Sequence, residues 1–169
     1  MLRAALLVLL LAACVERPAD RAAAARIGSA TSSDSAFARV QARGQTAMGV
    51  DQYTSTHQFE PLPDGGRISL QRNPADSAGV AQIRSHMDSI AVAFARGDFT
   101  LPGFVHDRRV PGTAVMTARR SKIRYLAESI PGGGQLRLQT SDSAAVAAIH
   151  QFLAFQRQDH RTASHGAEH

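Results

Sequence analysis

The sequence predicts an α+β fold built twice over: a duplicated ββα unit that makes one four-stranded antiparallel sheet with two helices on one face. The stretch Leu62-Pro63-Asp64-Gly65-Gly66-Arg67-Ile68-Ser69-Leu70-Gln71 recurs 68 residues later as Ile130-Pro131-Gly132-Gly133-Gly134-Gln135-Leu136-Arg137-Leu138-Gln139, with half the positions identical. Asp76-Ser77-Ala78-Gly79-Val80-Ala81-Gln82-Ile83 then matches Asp142-Ser143-Ala144-Ala145-Val146-Ala147-Ala148-Ile149 at six of eight positions. Both copies pass from alternating strand patterning to helical spacing, and an internal repeat of this kind sets the architecture.

The chain opens with Met1-Leu2-Arg3 and an unbroken apolar run from Ala4 to Ala13. That run is too short to span a bilayer but has the charge and length of a secretory signal. Leu11-Ala12-Ala13-Cys14 resembles the lipobox of bacterial lipoproteins, so residues 1–13 are expected to be removed and Cys14 to carry the lipid. The implied location is the cell envelope, lipid-anchored and facing the periplasm, with the outer membrane favoured. Cys14 is the single cysteine, which excludes an intrachain disulfide and a thiolate metal cluster. Residues 14–47 are rich in Ala, Arg and Ser with few large apolar side chains, and read as a flexible tether in which Ala36 to Arg43 can form a short helix.

The formal net charge is +5, carried almost wholly by scattered arginines, with Lys122 the one lysine. Arg108-Arg109 and Arg119-Arg120 are the only basic pairs. Without a basic tract or an aromatic platform, nucleic acid is not an expected partner.

The domain is expected over residues 48–161. Repeat 1 occupies 53–96, a connector 97–121, repeat 2 122–160, and residues 162–169 form a polar tail. A strand is expected from Tyr53, with Tyr53, Ser55, His57 and Phe59 on one face, ended by Pro61 and Pro63. Asp64-Gly65-Gly66 supplies the turn, and Ile68 and Leu70 lie on the inward face of the second strand. The first helix is expected to start with Asn73 as cap and Pro74 at the first position, to bury Val80, Ile83, Met87, Ile90 and Phe94, and to end before Gly97. Repeat 2 places strands at Lys122 to Ile130 and Leu136 to Thr140 and a helix from Ser141 to about His160. Its stripe is Val146, Ile149, Leu153, Gln156 and His160, so Gln156 and His160 stand where repeat 1 has Ile90 and Phe94. Helix fraying at the chain's end accounts for such a change as well as a polar requirement does. The connector holds Pro102, Gly103, Pro111 and Gly112 and has little periodicity; a connection that long is usually functional or disordered.

The mature chain has no His-Glu-x-x-His, no Walker loop and no Gly-x-Ser-x-Gly elbow. It has histidines in or beside ordered elements instead, together with Met48 and Met116 in flanking loops. Imidazole with thioether, without thiolate or clustered carboxylates, suits copper better than zinc or calcium. The expected metal ligands are His86, His106 and Met116, with His57 or His150 as fourth. Met116 also reads as a gap-filling core residue, and His86 as a half-exposed imidazole at the edge of its helix face.

Met48-Gly49-x-Asp51-Gln52, Thr56-His57-x-Phe59, Ile83-Arg84-x-His86, Gly97-Asp98-Phe99, Pro111-Gly112-x-x-x-Met116 and Ala148-Ile149-His150-x-Phe152-Leu153-x-Phe155-Gln156-x-x-Asp159-His160 resemble a family of small, uncharacterised bacterial proteins. The resemblance runs from Met48 to His160 and implies a shared fold with no established activity. Members sometimes carry the label aspartate carbamoyltransferase, yet this chain is too short for two Rossmann-like domains and lacks a Ser-Thr-Arg-Thr phosphate loop.

The expected function is that of an envelope lipoprotein whose domain binds a copper-type ion through His and Met without turnover. A metal-free module that docks a protein or cell-wall component is the alternative, and a small enzyme working through a histidine and an aspartate is the third.

Overall fold

The computed structural model describes residues 18–49 and 51–162, with the side chains of residues 18–32 and Gln52 left aside. Cys14, His165 and His169 lie outside the described residues. The elements run α1 (Pro18–Met48), β1 (Ser55–Leu62), β2 (Gly65–Arg72), α2 (Ser77–Ala95), α3 (Thr100–His106), α4 (Thr113–Ala118), β3 (Arg124–Ile130), β4 (Gly133–Gln139) and α5 (Ser143–Asp159).

The four strands form one antiparallel sheet in the order β1-β2-β4-β3, so the two hairpins meet along their second strands. Ile68 faces Leu136 across that seam. These two residues are equivalent in the repeat, and Gly66 faces Leu138 as Leu70 faces Gly134. The pseudo-twofold axis therefore passes through the Ile68–Leu136 pair. Backbone bonds repeat with it: Thr140 N–H donates to the Asp64 carbonyl and Arg72 N–H to that of Gly132, each at 2.9 Å.

The helices cross over. α2 packs chiefly on β3 and β4, and α5 on β1 and β2, so each repeat supplies the cover for the other's hairpin. A cross-covered sheet of this kind leaves neither ββα unit able to bury its own apolar face alone. Close approach is bought with glycine: a Cβ on Gly66 would stand 2.3 Å from Leu153 Cδ1, and one on Gly134 3.1 Å from Met87 Cγ. Met87 and Leu153 are again equivalent residues.

The helix starts differ from the sequence expectation. The cap of α2 is Asp76, whose side chain accepts from Gly79 N–H at 2.9 Å, and α5 repeats this with Asp142 and Ala145 N–H at 2.9 Å. Asn73 instead closes the preceding turn by accepting from Ala75 N–H at 3.0 Å, the local bonding by which such residues compete with helix. Gly97, at φ 80°, follows the end of α2 as expected. Tyr53 belongs to a 3-10 turn, Gln52–Thr54, and not to the strand. Pro61 lies inside β1, opposite Gly66, which an edge strand tolerates because its outer N–H needs no partner.

Two further expectations change. The segment read as a tether is helical from Pro18 to Met48, and from Ala36 onward it belongs to the same compact unit as the sheet. Its Ala- and Arg-rich composition is also that of a good helix former. The residues it buries, Val40, Gln41, Gly44 and Met48, are spaced for one helix face but contain too little hydrocarbon to show as a stripe. The connector holds α3, α4 and a 3-10 turn, Arg120–Lys122, each too short to display a period. Among the described residues, no helix is long and apolar enough to cross a membrane.

Candidate functional site

The two ends of the sheet are equivalent by the repeat and differ in chemistry. At one end Phe94, on the last turn of α2, packs edge-on against Tyr125 of β3 at 5.9 Å, with Phe99 at 4.4 Å and Phe152 at 6.0 Å completing an aromatic plug. At the other end the equivalents are His160, which caps α5, and His57 of β1, stacked at 5.2 Å. Phe59 lies 5.5 Å from His160, and His106 meets His160 edge-on at 5.1 Å. One copy of the unit is thus closed by hydrocarbon, the other by imidazole.

Beside these imidazoles is a cavity of about 80 Å³, formed where α1, β1, α2, α3 and α5 converge. Ala47 and Met48 of α1 and Leu101 and Val105 of α3 wall it on one side. His57, His86, His106 and His160 all line it, with Gln156, Met48 and Met87; among the described residues no Asp, Glu or Cys does. The volume is several times that of one water site, enough for a small ligand or ion. Arg43 of α1 donates to Asp107 at 2.9 Å and the Arg161 guanidinium lies 4.5 Å over the Phe37 ring, which tie the end of α1 across this region.

Burial, with the neighbouring His86, pushes the His57 imidazole down to about 4, and burial alone brings His86 to about 4. Burial and then the charges of His57 and His106 lower His160 to about 3. All three are neutral at physiological pH and keep a lone pair for a ligand. The Nδ1 atom of His160 is buried without a hydrogen-bond partner.

His106 is different. Its side chain is fully buried, its Nδ1–H donates to Asp159 Oδ2 at 2.5 Å, and its Nε2 stands 2.9 Å from Gln156 Oε1. Asp159 is held in turn by Arg108 at 2.5 Å. Whichever way the Gln156 amide is turned, both ring nitrogens of His106 are engaged. This chain of contacts holds the ring and leaves it no nitrogen for a ligand or for proton transfer.

The expected ligands therefore divide. His57, His86 and His106 come together at one cavity, and His57 and His86 retain donor capacity there. His150 does not join them: its Nε2 donates to the Leu62 carbonyl at 2.9 Å. Met116 is fully buried in the hydrophobic core and does not line the cavity. His160 and Met48, both singled out in the sequence, and Met87 stand at the cavity without having been among the expected ligands. The signal for His160 was the exchange of Phe94 for histidine between the repeats; Met87 was hidden in an ordinary apolar stripe.

No family model, curated protein or solved structure matches the chain. The site must be read from its own chemistry. Among the described residues no group of three or more His, Cys, Asp or Glu side chains is arranged around a common ion. His57 and His106 each meet His160 ring to ring.

Proposed function

We propose that this chain is an envelope lipoprotein, anchored through Cys14, whose domain binds a transition-metal ion of copper type in the imidazole cavity without turning it over. The observation that carries the reading is the meeting of His57 from β1, His86 from α2 and His160 from the end of α5 at one cavity, all neutral and therefore ready to donate without first losing a proton. The repeat-equivalent positions carry Phe94 and Tyr125, so the imidazoles are not a requirement of the packing itself.

A second reading, docking of a protein or cell-wall component without metal, draws on a separate observation: Tyr53, Val92, Phe104 and Val115 are large apolar residues left exposed.

The test is metal content and copper titration of the purified protein beside His57→Ala and His86→Ala. Stoichiometric binding that both variants lose supports the metal site. Background binding by a folded wild type removes it and leaves partner capture as the account. Lipidation is checked separately by membrane fractionation of wild type and Cys14→Ser, the variant being expected to leave the membrane fraction.

A further inference from the structure

We infer that β3 is the edge by which two copies of this chain pair, strand to antiparallel strand, to continue the sheet with four strands from each copy. This edge lies apart from the imidazole cavity, whose lining includes no residue of β3. β1 and β3 are equivalent strands in the repeat and form the two edges of the sheet. Each hairpin turns over two residues, so the residues flanking the turn bond to each other and every second residue from there directs its N–H and C=O outward. These are His57, Phe59 and Pro61 on β1 and Tyr125, Ala127 and Ser129 on β3.

β1 is blocked on its outer side. Pro61 has no N–H to offer, and the Phe59 carbonyl accepts from the Arg157 guanidinium of α5 at 2.7 Å. On β3 both devices are gone. Ser129 stands in place of Pro61, and the α2 residue equivalent to Arg157 is Ala91, which has no side-chain donor. Among the described residues no side chain or loop bonds to the outward backbone groups of Tyr125, Ala127 or Ser129, and β3 packs chiefly on β4 and α2. The hairpin ends, by contrast, are tied alike: His150 donates to the Leu62 carbonyl at 2.9 Å and Arg84 to that of Ile130 at 3.2 Å.

Charge selects a second copy as the occupant. On the sheet face away from the helices β3 carries Arg124, Leu126 and Glu128 at alternate positions. Arg124 is exposed and makes no ion pair among the described residues. Glu128, also exposed, accepts from Gln135 Nε2 at 2.6 Å and keeps a second oxygen free. With Leu126 of both copies on a twofold axis, Arg124 of each stands opposite Glu128 of the other and the two leucines meet. The same register lets Tyr125 of each copy exchange backbone bonds with Ala127 of the other. In the helix layer Val92 of α2, 51 % exposed, lies one turn beyond Asp88, which borders Ala127, Glu128 and Ser129, and adds hydrocarbon on that side. β1 has Thr56 and Glu60 at the equivalent positions and a blocked edge, so association closes at two copies instead of growing into a ribbon.

Sedimentation equilibrium of the full chain in density-matched detergent is expected to give a dimer. Arg124→Glu and Glu128→Arg each place two like-charged pairs beside the axis and are expected to weaken it at least about tenfold, and the double exchange to restore it to within about threefold. In a Cys14→Ser background, Leu126→Cys is expected to form a disulfide between copies under mild oxidation, and Gln58→Cys, its β1 equivalent, to form none. A chain that stays monomeric at every concentration overturns the pairing of copies and leaves the edge to an extended segment of another protein. Cross-linking through Gln58→Cys overturns the choice of edge. A dimer indifferent to both single exchanges overturns the register.

Discussion

His160 stacks on His57 at 5.2 Å in the same place where, across the pseudo-twofold axis, Phe94 packs on Tyr125 at 5.9 Å. The duplication thus contains its own control: one position, two chemistries. The hydrocarbon copy shows what the fold needs there for packing, and the imidazole copy shows what has been added. Because α2 and α5 are exchanged between hairpins, the imidazole pair draws one ring from each repeat, and the site exists only in the assembled duplicate.

Replacing the site by its symmetric counterpart tests that view. The double variant His57→Tyr, His160→Phe is expected to raise the thermal midpoint by a few degrees, as buried polar surface gives way to aromatic packing. It is also expected to abolish ion binding. A lowered midpoint with intact secondary structure would show that the imidazoles are structural.

Stability should fall on acidification. In the unfolded chain these imidazoles titrate near 6.5, whereas in the fold His57 and His86 titrate near 4 and His160 near 3. Between those limits the unfolded chain binds more protons, so stability rises with pH. The contribution is fully present above about 6.5 and is lost as pH falls to the folded values. Each group adds at most about 1.4 kcal/mol per pH unit, because at most one proton per imidazole separates the unfolded from the folded chain. Urea unfolding of the ion-free protein at about pH 7, 5.5 and 4.5 reads the slope, and His57→Phe should flatten it.

Asp159 anchors the fixed imidazole. Asp159→Ala leaves His106 buried with Nδ1 unpaired and frees Arg108, and should cost about 1–3 kcal/mol. Asp159→Asn keeps an acceptor and should cost less. Equal losses from the two variants would mean that the charge, and not the hydrogen bond, is what holds the ring.

Gly66→Ala and Gly134→Ala probe the cross-covered sheet. With only 2.3 Å to Leu153 Cδ1, Gly66→Ala should cost about 1–3 kcal/mol, and Gly134→Ala less, because 3.1 Å to Met87 Cγ is relieved by a small shift. Leu153→Ala should partly rescue Gly66→Ala in a double-mutant cycle, while Met87→Ala should not. Additive losses at Gly66 and Leu153 would contradict the contact.

The repeat made the α+β class and the strand and helix order legible before any coordinates, because identity between two segments of one chain forces them into the same local structure. Alternation at His57 and Phe59 and the three- and four-residue spacing from Val80 to Phe94 were legible for the same local reason: period reports which face is buried. The exchange of helices between hairpins was not legible. It depends on which sheet face each helix reaches, and either assignment satisfies the same apolar stripe. Nor was the packing of α1, whose buried Val40, Gln41, Gly44 and Met48 carry a helical spacing but no hydrophobic signature.

The site divides along the same line. The sequence by itself determined that imidazole and thioether groups were plentiful and that Gln156 and His160 broke the symmetry of the stripe. Only the tertiary structure decided that His57, His86 and His160 share a cavity, that Asp159 and Gln156 occupy both nitrogens of His106, and that His150 and Met116 point elsewhere. Composition and period are properties of neighbours in the chain. Convergence is a property of neighbours in space, set here by the Ile68–Leu136 seam and the exchange of α2 and α5 between hairpins.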